Sequence, residues 1–232
     1  MKDFEKEEEM KKRGIIFDHD GVLVDSMKLG RERFLVIAKD MALPVGERVQ
    51  KQIGMCWGAP IKLLARSLWP RMGADDAERF HDIWLKIDES YPFPLFPGVT
   101  ETLSKLCSGG SALSVFSNRT RVNLCACLTG NNIIEYFPMF FGSDSSDFSK
   151  PDPRSIESIL QYYRGEGIVP GELIYVGDSP TNDWPIANAH GLDFIAVASS
   201  ISLHERFLDL GIPESRIIER VTDLPQVLEE WK

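Results

Sequence analysis

Gly14-Ile15-Ile16-Phe17-Asp18-His19-Asp20-Gly21 passes, within eight residues, from an unbroken apolar run to a polar loop closed by glycine. Such a run suits a strand buried on both faces, because a half-exposed strand alternates apolar with polar residues. The pattern recurs. Ala112-Leu-Ser-Val-Phe116 stops at Ser117, Leu173-Ile-Tyr-Val-Gly177 stops at Asp178, and Phe194-Ile-Ala-Val197 follows shortly. Ile156, Ile159, Leu160 and Tyr163 fall at helical spacing, as do Leu224, Val227, Leu228 and Trp231. The alternation predicts an α/β fold with a Rossmann-like, doubly wound parallel sheet.

More than ninety residues separate the first two strands, far beyond the roughly 10 to 12 that a minimal crossover needs. Three helical stripes lie in that interval: Met27, Gly30, Phe34, Ile37 and Met41; Ile61, Leu64, Ala65 and Leu68; Phe80, Ile83, Trp84 and Ile87. They predict a small α-helical cap unit over residues 26–91, inserted into a core made of residues 14–25 and 92–232. Tyr91-Pro-Phe-Pro-Leu-Phe-Pro-Gly98 carries three prolines that cannot continue a helix, which makes it a stiff hinge. Residues 1–13 form a charged arm whose simplest reading is a solvated segment.

Composition bounds the function. The 232 residues carry 35 acidic and 26 basic side chains, a formal charge of −9. That balance argues against affinity for nucleic acid, whose phosphates require a basic surface. No apolar run approaches the roughly 20 residues needed to cross a bilayer. With no secretory pattern in the charged arm, the expectation is a cytoplasmic protein, and nothing points to a partner protein. Cys56, Cys107, Cys125 and Cys127 are too few for a disulfide framework and lack a second cluster at finger-like spacing, so buried thiols are expected.

In an open parallel sheet, ligands bind outside the carboxyl ends of the strands. Asp18, Asp20, Ser117, Asn118, Asp178 and Asp183 would meet there although they are remote in sequence. Several carboxylates in one cleft repel one another, so either their pKa values rise or a cation neutralises them. An all-oxygen donor set without His or Cys selects a hard ion, Mg²⁺ above all, and an anionic substrate such as a phosphate.

The stretch Ile15 to Ser26, with Asp18-His19-Asp20-Gly21 inside it, resembles the DxDG signature of the haloacid dehalogenase-like hydrolases in the form used by their phosphatases. Ser117-Asn118, Lys150-Pro-Asp152-Pro153 and Gly177-Asp178-Ser-Pro-Thr-Asn-Asp183 follow in the family's order. The resemblance covers nearly the whole chain after the arm, and within the family it is to the phosphatase branch with a helical cap. It implies that Asp18 attacks phosphorus and that Asp20 protonates the leaving oxygen and then activates water. Ser117 and the Asn118 amide would bind phosphoryl oxygens, Lys150 would neutralise developing charge, and Gly21 would leave room for substrate. Mg²⁺ would be held by Asp18, the Asp20 carbonyl and Asp178, with Asp183 as ligand or supporting partner.

His19 departs from the apolar residue usual between the two aspartates, and it is expected to point away from phosphorus. Four residues between Asp178 and Asp183, where close relatives often have three, leave open which Asp183 oxygen touches metal. The resemblance assigns specificity to the cap, where the loop Gly54-Met-Cys-Trp57-Gly58 would reach down, with Trp57 as a substrate contact and Arg31, Arg33 and Arg66 as alternatives whose default is solvated surface. The expected function is a Mg²⁺-dependent phosphatase acting on a small phosphorylated metabolite through an aspartyl phosphate. A phosphosugar mutase of the β-phosphoglucomutase type and a non-catalytic phosphate-binding regulator are the alternatives.

Overall fold

The computed structural model describes residues 13–55 and 60–230. β1 (Gly14–Phe17) is followed by four helices, α1 (Met27–Asp40), α2 (Glu47–Met55), α3 (Ile61–Leu68) and α4 (Ala74–Ser90). The chain continues through α5 (Val99–Ser108), β2 (Ala112–Phe116), α6 (Arg121–Gly130), β3 (Met139–Phe141), α7 (Glu157–Gly165) and β4 (Leu173–Gly177). Then come α8 (Trp184–Ala189), β5 (Asp193–Val197), α9 (Ile201–Asp209), β6 (Ile217–Ile218) and α10 (Leu224–Glu230).

The six strands form one sheet in the order β3-β2-β1-β4-β5-β6, and every pairing is parallel. Successive strands step outward on one side of β1 and then outward on the other, which is the doubly wound α/β topology expected. Both faces are covered. Ile15, Phe17, Val115, Val176 and Ile195 point into a core shared with Leu103 of α5 and Leu124 of α6. Ile16, Phe116, Tyr175 and Phe194 face the opposite core, with Ile159 of α7, Ile186 of α8 and Phe207 of α9. Coverage on both sides is why the strands read as continuous apolar runs.

Helices α1 to α4 have a core of their own. Phe34, Ile37, Leu64, Leu68, Trp69, Phe80 and Trp84 pack together, and Phe34 lies with its ring centroid 4.7 Å from that of Phe80 and 5.7 Å from that of Trp69. The two passes of chain that join these helices to the sheet run side by side. Asp25 N donates to Pro94 O at 3.0 Å and Phe96 N donates to Leu23 O at 3.0 Å. Backbone pairing, together with the prolines, defines the crossing from sheet to helices.

The sequence reading is corrected at several points here. No loop starts at Gly54, because Gly54 and Met55 belong to the last turn of α2. Val49 and Ile53, one helical turn apart, are buried against the other three helices and carry α2 that far. Residues 56–59, Trp57 among them, lie outside the described residues, as do residues 1–12 of the charged arm and Trp231. Met27 opens the α1 stripe but is exposed, since the first turn of α1 faces the strand ends rather than the helical core. Cys127 is buried, with its thiol pushed up to about 12 mainly by that burial, whereas Cys107 and Cys125 are only half-buried.

Candidate active site

Strand register brings the polar stops level. Phe17 pairs with Val115 on one side and Val176 on the other, so Asp18, Ser117 and Asp178 all leave the sheet at one rim. Asp18 continues the ladder for one more bond, its N–H donating to Val176 O at 2.9 Å. Gly21 turns the chain back over the rim at φ +82°, and an added Cβ there would overlap the Asp178 carboxylate. Gly21→Ala is therefore expected to lose at least about 1 kcal/mol of stability together with most activity, which unfolding titration and a turnover assay on the same sample would check. Gly177 is equally confined, with the Asp183 side chain 2.6 Å from the position a Cβ would take.

Lys150 is the hub. The residue is 3% exposed, and its ammonium donates to Asp18 Oδ1 and to Asp183 Oδ1, both at 2.8 Å. Asp183 is fully buried, and Tyr175 Oη also donates to its Oδ1 at 2.9 Å while the Ser179 amide donates to Oδ2 at 3.0 Å. Both of its oxygens are thus engaged by this chain. Carboxylate oxygens of Asp18, Asp178 and Asp183 nevertheless lie within 4.8 Å of one another. Ser117 Oγ accepts from the Arg119 amide at 3.1 Å, and the Asn118 side-chain amide reaches Lys150 O at 3.5 Å.

The electrostatics follow from this crowding. Burial, and then the neighbouring carboxylates, push Asp18 up from 3.8 to about 7 in spite of Lys150. Burial also holds Asp178 well above the usual carboxylate range, reinforced by Asp18 and Asp183. Asp20 behaves oppositely. Burial alone would raise it, but the Arg119 guanidinium and a contact from His19 hold it well below its ordinary value. Lys150 is itself raised, because Asp18 and Asp183 together outweigh the burial of its charge.

Two contacts at the rim escaped the sequence reading. Arg119 Nε donates to Asp20 Oδ2 and Nη2 to Asp20 Oδ1, each at 2.7 Å, a bidentate fork across 99 residues of sequence. Its Nη1 also donates to Asp88 on α4. Asp88 is 1% exposed, one turn after Trp84 on the buried face of α4, and a carboxylate on that face was the signal that could have been read. Arg33, whose default was solvated surface, pairs with Asp88 at 3.3 Å and lies over the Phe93 ring at 4.1 Å, because its place on α1 faces the end of α4. Arg31 is partly exposed and donates to Gln50 O at 3.3 Å, and Arg66 is exposed on α3. His19 is fully buried, with Nδ1 3.5 Å from Asp20 Oδ2.

Asp18, Asp178 and Asp183 converge on a single buried ammonium, Lys150, so carboxylates outnumber the cation among them, in an all-oxygen setting that suits a hard divalent cation. A cavity of about 200 Å³ opens on Asp18, Ser117, Lys150 and Asp178. Beside it a second, of about 260 Å³, is walled by Ile61, Leu64, Trp84 and Leu85 of the helices, and the two share Asp20 and Asn118.

Comparison with known proteins agrees with this architecture. The sequence pattern described as haloacid dehalogenase-like hydrolase matches residues 15–197. A phosphoglycolate phosphatase of Shigella boydii is 30% identical over 240 residues, spanning 91% of this chain and 90% of that protein. Among solved structures, a protein from Bacteroides fragilis described as a haloacid dehalogenase-like hydrolase superposes with a TM-score of 0.77 at 24% identity, over 92% of this chain and 100% of that one. One from Thermotoga maritima described as a β-phosphoglucomutase gives 0.71 at 22% identity, over 94% and 99%. Both structural likenesses speak to the fold.

Proposed function

This chain belongs to the haloacid dehalogenase-like hydrolase family as one of its phosphatases, and we propose that it hydrolyses a small phosphorylated metabolite with the help of Mg²⁺ through an aspartyl phosphate at Asp18. The observation that carries this reading is the Asp18–Lys150–Asp183 chain. Lys150 fixes Asp18 Oδ1 at 2.8 Å and leaves the other oxygen of Asp18 for phosphorus. Carboxylate attack divides a slow hydrolysis into two faster displacements.

In the first displacement, a bond forms between Asp18 and phosphorus as the bond to the leaving oxygen breaks, and Asp20, ionised beside Arg119 in the free chain, gains a proton as the anionic substrate binds and passes it to this oxygen. In the second, Asp20 takes a proton from water as the water oxygen bonds to phosphorus and Asp18 is released. Lys150 balances charge on the phosphoryl group, and the rim at Ser117 and Asn118 receives its oxygens. Asp18, Asp178 and the Asp20 carbonyl would hold Mg²⁺, with Asp183 serving chiefly to fix Lys150. The ion supplies charge neutralisation for the phosphoryl group, and the three carboxylates gathered about the one Lys150 ammonium fit it. The apolar-walled cavity next to Asp20 is where the leaving group would lie, under a helical cap of residues 26–91.

The raised pKa values carry a sign. Asp18 goes from 3.8 in the unfolded chain to about 7 in the metal-free fold, so between those values the fold binds the extra proton and stability falls as pH rises. Thermal unfolding without metal should show this decline from pH 5 to pH 8, and saturating Mg²⁺ should flatten it. Asp18→Asn should make it shallower, leaving the share that comes from the buried Asp178. A decline that is the same in wild type and variant would show that it arises elsewhere.

The function itself is tested by a screen of sugar and carboxylic-acid phosphates, following free phosphate against isomerised product with Mg²⁺ and with chelator. The expected result is phosphate release that stops in chelator and returns with Mg²⁺. Isomerisation without phosphate release would identify a mutase instead.

A further inference from the structure

Asp20 is not held by the phosphate-binding rim alone. Both of its oxygens lie in the Arg119 fork at 2.7 Å, and the remaining arm of that guanidinium is bound to Asp88 near the end of α4. Asp88 accepts further from Arg33 of α1 at 3.3 Å and from Asn123 Nδ2 of α6 at 3.4 Å, while Arg33 Nη2 donates to Tyr91 O. The ring of Phe93, in the proline-rich crossing, lies beneath both guanidiniums, 4.1 Å from Arg33 and 5.0 Å from Arg119.

The result is a chain of alternating charge, Asp20–Arg119–Asp88–Arg33, that starts at the sheet rim and ends within the inserted helices. Breaking a buried pair leaves an uncompensated charge, so the chain holds together or fails as a unit. A forked guanidinium also sets the plane of the carboxylate it holds, which a single contact does not do.

We propose that Arg119 and Asp88 are positioning residues that aim the Asp20 carboxyl at the leaving oxygen and make that aim depend on the seating of α1 and α4. The proposal rests on the phosphatase reading above, in which Asp20 gives a proton to the leaving oxygen as its bond to phosphorus breaks. The fork takes one lone pair of each Asp20 oxygen and leaves another on each for the proton it would give, so it sets the direction of the transfer, and the helices hold the fork.

The discriminating measurement is the single-turnover rate of phosphate-ester cleavage for two substrates with Mg²⁺ present. One is an alkyl phosphate, whose leaving oxygen must be protonated, and the other is p-nitrophenyl phosphate, whose leaving group departs with little help. General acid catalysis accounts for about 10²- to 10⁴-fold, so Arg119→Lys should slow the alkyl ester by at least about 30-fold and the aryl ester by less than about 5-fold. Asp88→Asn, which preserves volume and can still accept from Arg119, should show the same selectivity with a smaller loss. The double variant should lose little beyond Arg119→Lys, as expected of residues acting through one chain. Equal losses on both esters, no loss, or multiplicative losses would overturn the proposal, since a merely structural role does not distinguish leaving groups. Asp18→Asn run alongside separates the two layers. If that variant turns over either ester at the wild-type rate, the phosphatase mechanism has failed; if it is inactive and the selectivity is missing, only the positioning role has.

Discussion

Asp18→Asn is expected to abolish turnover of any phosphomonoester, a loss of at least about 10⁴-fold, with the fold retained. The substitution keeps the size of the side chain and its place at the end of β1, where the backbone bond to Val176 O does not involve the side chain. What it removes is the anionic oxygen that would bond to phosphorus. An amide in its place is a poor nucleophile and a weak partner for the Lys150 ammonium now 2.8 Å away. Because Asp18 is pushed up to about 7 by burial and its neighbours, losing its charge should also stabilise the metal-free protein above that pH. The expected pairing is a dead enzyme with undiminished thermal stability at pH 8. Steady-state phosphate release and a melting curve on one preparation would check it, and activity within tenfold of wild type would rule out Asp18 as nucleophile.

Lys150→Met has the second largest effect, and on two readouts together. Lys150 is 3% exposed and is the ammonium shared by Asp18 and Asp183. Removing one partner of a buried ionic group leaves bare charges, at a cost of about 3 to 5 kcal/mol, and methionine fills the aliphatic volume so that lost charge dominates. Activity should fall by at least about 10²-fold, as for removal of an electrostatic contact to a transition state. The stability loss should be smaller at pH 5, where Asp18 carries a proton, and partly restored by Mg²⁺ at pH 7.5. Denaturant unfolding at the two pH values, with and without Mg²⁺, measures this. A loss below about 1 kcal/mol in metal-free solution at pH 7.5 would mean that the carboxylates do not depend on Lys150.

How much of this could be read from the sequence depends on the range of the interaction. β1, β2, β4 and β5 were legible because strands covered on both faces produce apolar runs with abrupt polar stops. β3 and β6, of three and two residues at the sheet edges, are too short to leave such a run. Three of the inserted helices showed their stripes. α2 did not, since among its described side chains only Val49 and Ile53 are buried within a polar segment.

The candidate site divides the same way. Asp18, Ser117 and Asp178 were legible as polar stops at strand ends, and Lys150 and Asp183 from their place in ordered motifs. Arg119 carries no local mark of its role, because its fork depends on a fold that brings it to Asp20. Asp88 does carry one, as an acid on the apolar face of α4, but its partners come from α1, α6 and the loop after β2. Pairs of opposite charge that meet only after folding have no periodicity to betray them.

Covalent transfer of a phosphoryl group to Asp18 is the central step. Acid quench during turnover, reduction with borohydride and mass spectrometry of the proteolytic peptides would locate the acyl phosphate, since reduction converts a phosphorylated aspartate to homoserine. The prediction is homoserine at position 18, dependent on substrate and Mg²⁺ and absent when either is withheld. Reduction at another carboxylate, or steady phosphate release with residue 18 always recovered as aspartate, would contradict it.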